Sequence, residues 1–398
     1  MSCVGEAPGA AREASTPGEL YYNVPAKSMG KRELLLIIAF VVAGVIVYQA
    51  TAPPPAPGSR GVSIGRIIDD LRREIRGNRA SAEIRRSSTY AVAPGVTEIR
   101  FREGFSELTI AGEDRDDIAL DMRIVSNGAD QAEARKWAEE TQVKVDTTAT
   151  GIALAAEYSK GGDQRGYFTV KVPARLAIRT DQAANRASIA GVAGVEMVTA
   201  RGDTTIRQIS GRVALTHVGG DLIIDNVGSL KLTGRRTQAT LTGIRGELSL
   251  DVQQNSEVVA TGAAGPIAVE ARSSEVTLSK LEGARGPVRV NAVGGSIALR
   301  GLGTEARVDG RNTEIDVEIA KPVPLTVYNE GDEPIDITPP EGGYTLDAVA
   351  ADGRISVPQD SVEVTESEQE QRATGKINGG GPPITLRANR GNINVRAR

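Results

Sequence analysis

The sequence predicts a mainly β protein: one N-terminal transmembrane helix, a small antiparallel β domain with one helix, and then a parallel β-helix-like solenoid of about ten coils. Three observations carry this. Leu34 to Tyr48 is an uncharged apolar run, and apolar residues mostly alternate from Val96 to Val172. Beyond Leu176, pairs of the form apolar-x-apolar recur nine residues apart, in units that advance by 17 to 21 residues.

The N-terminal run extends through Gln49 to Ala52, giving a span 34–52 of roughly 28 Å as helix, close to the ~30 Å hydrocarbon core. Ala50-Thr51-Ala52 also fits a signal-peptide cleavage pattern. The 33 residues before the run and Pro53 after it favour an uncleaved anchor. Lys31 and Arg32 abut the span, whereas Arg60 lies behind the spacer Pro53-Pro54-Pro55-Ala56-Pro57. The positive-inside rule therefore places 1–33, a disordered handle carrying Cys3, in the cytoplasm, and the rest in the periplasm or at the cell surface. Within 53–95, Ile64, Ile67, Ile68, Leu71 and Ile75 recur at helical spacing among Arg66, Arg72, Arg73 and Arg76. Such a basic amphipathic helix suits either anionic headgroups or docking on the next domain.

In the small domain, 96–175, Ile118, Leu120, Met122 and Ile124 mark the clearest strand. Asp130 and Glu133 resemble a capping box for a helix over 130–141, whose Trp137 is expected to cover a sheet.

The repeat defines 176–398. Val213-x-Leu215 is followed nine residues on by Leu222-x-Ile224, and the offset recurs at Val288/Val290 with Ile297/Leu299 and at Ile384/Leu386 with Ile393/Val395. It loosens after Leu248/Leu250, at Glu257, and stretches to ten between Leu325/Val327 and Ile335/Ile337. A further apolar corner residue often follows, as in Ile206/Ile209 and Leu278/Leu281. Two three-residue strands cannot stand alone, but stacked coils bury a continuous apolar ladder at about 4.8 Å per coil. Such a thin core suits small residues: Tyr328 and Tyr344 are the only aromatics beyond Leu176, and glycine-bearing turns account for the 45 glycines. Residues 358–376 interrupt the rhythm as an acidic insertion, and Arg396 and Arg398 are expected to blunt an open edge.

One His and one Cys exclude a His/Cys metal cluster, a CxxC redox centre and a disulfide framework. A net charge of −4 with so few aromatics points away from nucleic acid, and no cofactor motif is present. His217 lies in a turn near Asp221, where solenoid histidines are expected to be exposed and idle. Arg201-Gly202-Asp203 spells an integrin-recognition tripeptide, yet a glycine there is explained by the turn alone. Stacking offers one column, Asp251, Glu270, Asn291 and Asp309, just after the first strand of four successive coils. Carboxylates at such spacing suit Ca²⁺ or the acid/base pair of a polysaccharide-cleaving enzyme; they equally make a solvated edge that keeps the sheet soluble.

Three stretches, FSELTIAGEDRDDIALDMRI from Phe105, YFTVKVPARLAI from Tyr167 and INGGGPPITLRANRGNINVR from Ile377, resemble the putative-adhesin domain of bacterial envelope proteins, the LiaG-like group. The resemblance spans about Val96 to Arg398. It implies an envelope location and brings no catalytic residues. The expected function is a membrane-anchored, extracytoplasmic, adhesin-like, non-catalytic solenoid acting through surface contacts with envelope proteins or glycans, in an adhesion, scaffold or envelope-stress role. The alternatives are a polysaccharide-active or Ca-binding β-helix using the acidic column, and a signalling protein with a cytosolic partner for 1–33.

Overall fold

The computed structural model describes residues 80–161, 163–181, 185–357 and 362–396. The expected anchor 34–52, the handle, the basic helix, Cys3 and Arg398 lie outside these residues. Among the described residues, no helix is long and apolar enough to cross a membrane.

The described chain is mainly β, with one α-helix, Gln131–Glu140, and one 3-10 turn, Leu281–Gly283. Two parallel ladders run through it. In the first, Ile99, Ile178, Val195 and Val213 are register partners in turn. Leu230, Leu248, Ile267, Val288, Ala306 and Leu325 continue the same relation. The second joins Leu108, Ala187 and Thr204, and then Ala239, Val258, Val276, Ile297, Ile315 and Ile335. Every one of these side chains is buried. Alternation puts their neighbours outside, so the apolar-x-apolar pairs form the core and each x faces water.

The corners are made by left-handed backbone. Gly191, Gln208, Asn226, Gly243, Gly262, Lys280 and Gly301 all have φ between 55° and 73°, and each stands two residues after the last inward residue of a strand. The next residue inward is the expected corner: Ile209, Val227, Ile244, Leu281 and Leu302 are all buried. After Leu250 the repeat lengthens by one residue, absorbed by consecutive left-handed Gln254 and Asn255. The inward pair there is Val258 and Ala260, so the loosening at Glu257 is an insertion in the turn and not a break in the core.

The N-terminal β region differs from a separate antiparallel domain. Glu98–Phe101 and Glu107–Glu113 pair in parallel with the following coils, because Ile99-x-Phe101 and Leu108-x-Ile110 carry the same nine-residue offset. The ladders therefore cross position 175/176 without interruption. Antiparallel layers cap them: Gln142–Thr147 on Gly151–Glu157 at one ladder, and Asp117–Gly128 on Asp163–Pro173 at the other. Asp117–Gly128 in turn receives Ala80–Ala91. That strand lies inside the expected 53–95 spacer; its sequence, ASAEIRRSSTYA, has no clear alternation and is ordered by its partner. The helix matches 130–141. Asp130 Oδ1 accepts from the Glu133 backbone, and Glu133 Oε2 accepts from the Ala129 backbone. It buries Ala134 and Ala138, while Trp137 is half-buried with its ring against Gly161.

The C-terminal end departs most from simple stacking. Pro383–Arg390 and Ile393–Val395 do not form the last coil. They lie between Leu325–Thr338 and Tyr344–Ser356, pairing in parallel with both. Much of the 358–376 insertion is a hairpin, Val362–Glu366 with Glu370–Ile377, whose second strand pairs antiparallel with Tyr344–Ala351. The acidic hairpin, rather than Arg396, covers that ladder's end. Arg396 instead donates to Asp336 Oδ2 at 2.8 Å, beside an interior strand.

Candidate functional site

The expected column is assembled: Asp251, Glu270, Asn291 and Asp309 are successive register partners, with Thr233 before and Tyr328 after them. Each acid already has a protein donor. Gln253 Nε2 donates to Asp251 Oδ1 at 3.0 Å, and Asn291 Nδ2 to Glu270 Oε1 at 2.6 Å. Arg307 grips Asp309 with two hydrogen bonds of 2.7 and 2.8 Å. The Asn291 amide separates Glu270 from Asp309, so the four do not converge on one point. Among the described residues, no group of three or more His, Cys, Asp or Glu side chains is placed to hold a metal.

A second column, which the sequence analysis does not single out, lies on the other ladder. Gln238, Glu257, Glu275, Ser296 and Glu314 are successive register partners. Asp203 and Asp221 occupy the same place in earlier coils, immediately before inward Thr204 and Leu222. Next to it runs a row of mostly β-branched side chains, in which Thr240, Val259, Thr277 and Ala298 are register partners. Ile223, 39% exposed, and Val259, 37% exposed, leave apolar surface in water. Asp221, Ile223, Gln238, Thr240, Glu257 and Val259 line an open depression of about 320 Å³. The signal for this column is in the sequence: the residue just before the second apolar pair of successive coils is Asp221, Gln238, Glu257 and Glu275, a different position from that of Asp251, which stands just after the first pair.

His217 is buried, contrary to the expected exposed turn histidine, with no solvent exposure. Its Nε2 lies 3.0 Å from the Gly202 carbonyl and its Nδ1 2.9 Å from Thr237 Oγ1. A carbonyl only accepts, so the proton belongs on Nε2, and neutral Nδ1 accepts from the Thr237 hydroxyl. Burial holds the imidazole pKa below its usual range, against the raising effect of the Gly202 carbonyl, Asp221 and Asp203. Thr237, Ser256 and Ser274 extend a buried polar seam: the Thr237 backbone donates to Ser256 Oγ, and that of Ser256 to Ser274 Oγ. His217 thus has both ring nitrogens committed inside a corner. Gly202 of the Arg-Gly-Asp tripeptide is the adjoining corner, with φ +70°, and Asp203 pairs with Arg186 at 3.2 Å.

No family model matches the chain, and no curated protein matches it. Solved structures to which it is similar include a putative cell adhesion protein from Clostridium sporogenes, at 12% identity over 79% of this chain and 100% of that chain, with a TM-score of 0.17. A putative adhesin from Parabacteroides merdae is 9% identical over 81% of this chain and 98% of that one, with a TM-score of 0.28. A putative lipid binding protein from Parabacteroides distasonis is 10% identical over 79% of this chain and 97% of that one, with a TM-score of 0.31.

Proposed function

We propose that the chain is a membrane-anchored, extracytoplasmic β-solenoid that acts through surface contacts, as an adhesion or scaffold component of the cell envelope, without catalysis. The observation that carries this reading is the pair of outward rows on the second ladder. Glu257 and Glu275, beside Val259 and Thr277, repeat one polar and one β-branched position coil after coil. A surface that repeats at strand spacing offers an extended partner many weak, equivalent contacts, which sum by avidity. The committed ring of His217 and the donors already on the acidic column are in keeping with a contact role. The anchor is read from the apolar run 34–52, and envelope proteins or glycans are the partners that such a location offers.

The test is binding to isolated envelope fractions. Glu257→Lys with Glu275→Lys is expected to abolish retention of the full-length chain while leaving its melting curve unchanged. Unaltered retention would remove this face from the reading. Turnover of a polysaccharide that disappears on Asp251→Ala or Glu270→Ala would replace it with an enzyme. Protease access to the β region in intact cells tests the location separately.

A further inference from the structure

The strands on either side of Pro383–Val395 both precede it in the chain. Leu325–Gly331 and Ile335–Thr338 flank it on one side, Tyr344–Ala351 and Ile355–Ser356 on the other. Both walls of this slot are therefore complete before the segment that fills it has been made, since synthesis runs from the N-terminus. Until then, two parallel strand edges present unpaired N–H and C=O groups, which are templates for another strand.

The segment carries its own specificity. Ile384, Leu386, Ile393 and Val395 are buried in the slot. Arg387 donates to the Asp347 backbone carbonyl at 2.8 Å and forms an ion pair with its carboxylate. On the opposite wall, Asn394 Nδ2 and an Arg396 nitrogen each lie 2.8 Å from the Asp336 carboxylate. None of these contacts depends on which copy of the chain supplies the segment.

The link that brings the segment home is short. Five residues, Asn378 to Pro382, join the hairpin strand Glu370–Ile377 to Pro383, crossing the start of Tyr344–Ala351. Asn378, Gly379 and Gly380 all have positive φ, at 52°, 86° and 84°. At the crossing the backbones nearly touch, so that a Cβ on Gly381 would stand 2.2 Å from the Gly343 oxygen. A tight, left-handed hinge beside a strand-shaped slot is the arrangement in which identical elements exchange between protomers at low cost.

We propose that the slot between Leu325–Thr338 and Tyr344–Ser356 is a strand-exchange site that accepts residues 383–395 of a second copy of this chain in place of its own. The occupant is fixed by the groups that line the slot, Asp336 and Asp347, which match Arg396, Asn394 and Arg387 of that segment. Exchange links two chains through their C-terminal coils without any contact that the single chain lacks.

Register partners Thr326 and Thr385, both on the half-exposed outer face, allow a direct test. In a Cys3→Ser background, full-length chains carrying only Thr326→Cys are refolded together with differently tagged chains carrying only Thr385→Cys, and then oxidised. Exchange is expected to give a mixed disulfide in about tenfold excess over a pair of Thr326→Cys with Ser367→Cys. Deleting Gly379 and Gly380, which leaves too little chain to cross, is expected to drive the protein into linked dimers. One chain carrying both Thr326→Cys and Thr385→Cys reports whether the register itself is right. If that chain closes internally while the mixed pair gives no excess and the shortened hinge stays monomeric, the slot is closed to other copies and the proposal falls. Failure of the double variant to close would overturn it as well.

Discussion

Leu325 is the register partner of Ile384, and Ile384 in turn separates it from Leu346, an inward residue of the coil that follows Leu325 in sequence. The last coil in the chain is thus an interior coil in the sheet. Leu386 is wholly buried between Val327 and Ala348. Leu386→Asp places an unpaired carboxylate there, at a cost of several kcal/mol unless the coil is expelled. The expected outcome is local: limited proteolysis cuts within 339–398 while the coils up to Thr338 remain protected. Loss of protection over the whole sheet would show that the end is not an independent unit.

A charge in mid-ladder should act differently. Val290, 1% exposed, lies between Val269 and Val308. Because each coil rests only on its neighbours, Val290→Asp is expected to open several coils on both sides, since neither neighbour can keep its inward face covered. Circular dichroism should lose strand signal and melting should broaden into two steps. A wild-type-like melt would refute the inward assignment.

Two corner glycines separate backbone strain from crowding. Gly262 has φ +73° and open space where a Cβ would stand, so Gly262→Ala carries only the left-handed penalty, about 1 kcal/mol. Gly202 has φ +70°, but its Cβ would meet the Asn185 oxygen at 2.1 Å. Gly202→Ala must move backbone and is expected to cost at least twice as much in urea unfolding. Equal losses would mean that the corner at Gly202 can relax.

Much of this architecture is legible in the residues, and the exceptions have physical causes. The offset of nine between Val288 and Ile297 reads directly as two strands and a turn, because burial on one face leaves a period of two that a single-residue slip would destroy. The same offset at Ile99 and Leu108 is masked in the sequence by the strands and helix inserted between Glu113 and Asp163. The place of Ile384 is not legible at all: Leu346-x-Ala348 and Ile384-x-Leu386 are equivalent in pattern, and only long-range pairs such as Asp336 with Asn394 distinguish their order. The column at Asp251 follows from counting. The fate of His217 does not, since a turn residue points in or out according to a corner geometry that the spacing leaves open.

That buried histidine makes stability depend on pH. Its folded pKa is held below the unfolded value of about 6.5, so in the folded chain it resists protonation that the unfolded chain accepts. The sign follows: its contribution is fully present above the unfolded pKa and is lost as pH falls from about 6.5 toward the lower folded value. The slope can reach about 1.4 kcal/mol per pH unit for one proton. Glu83 and Glu113, whose pKa values are lowered by hydrogen bonds from Arg85 and Lys171, lose their share only further down, below the ordinary carboxylate range near 4.5. Urea midpoints measured between pH 7.5 and 5.5 should therefore fall for the wild type. His217→Gln, which keeps an N–H for the Gly202 carbonyl, should be less stable at pH 7.5 and nearly flat over that range. A wild-type midpoint that holds steady, or a variant that falls in parallel with it, would remove His217 as the source.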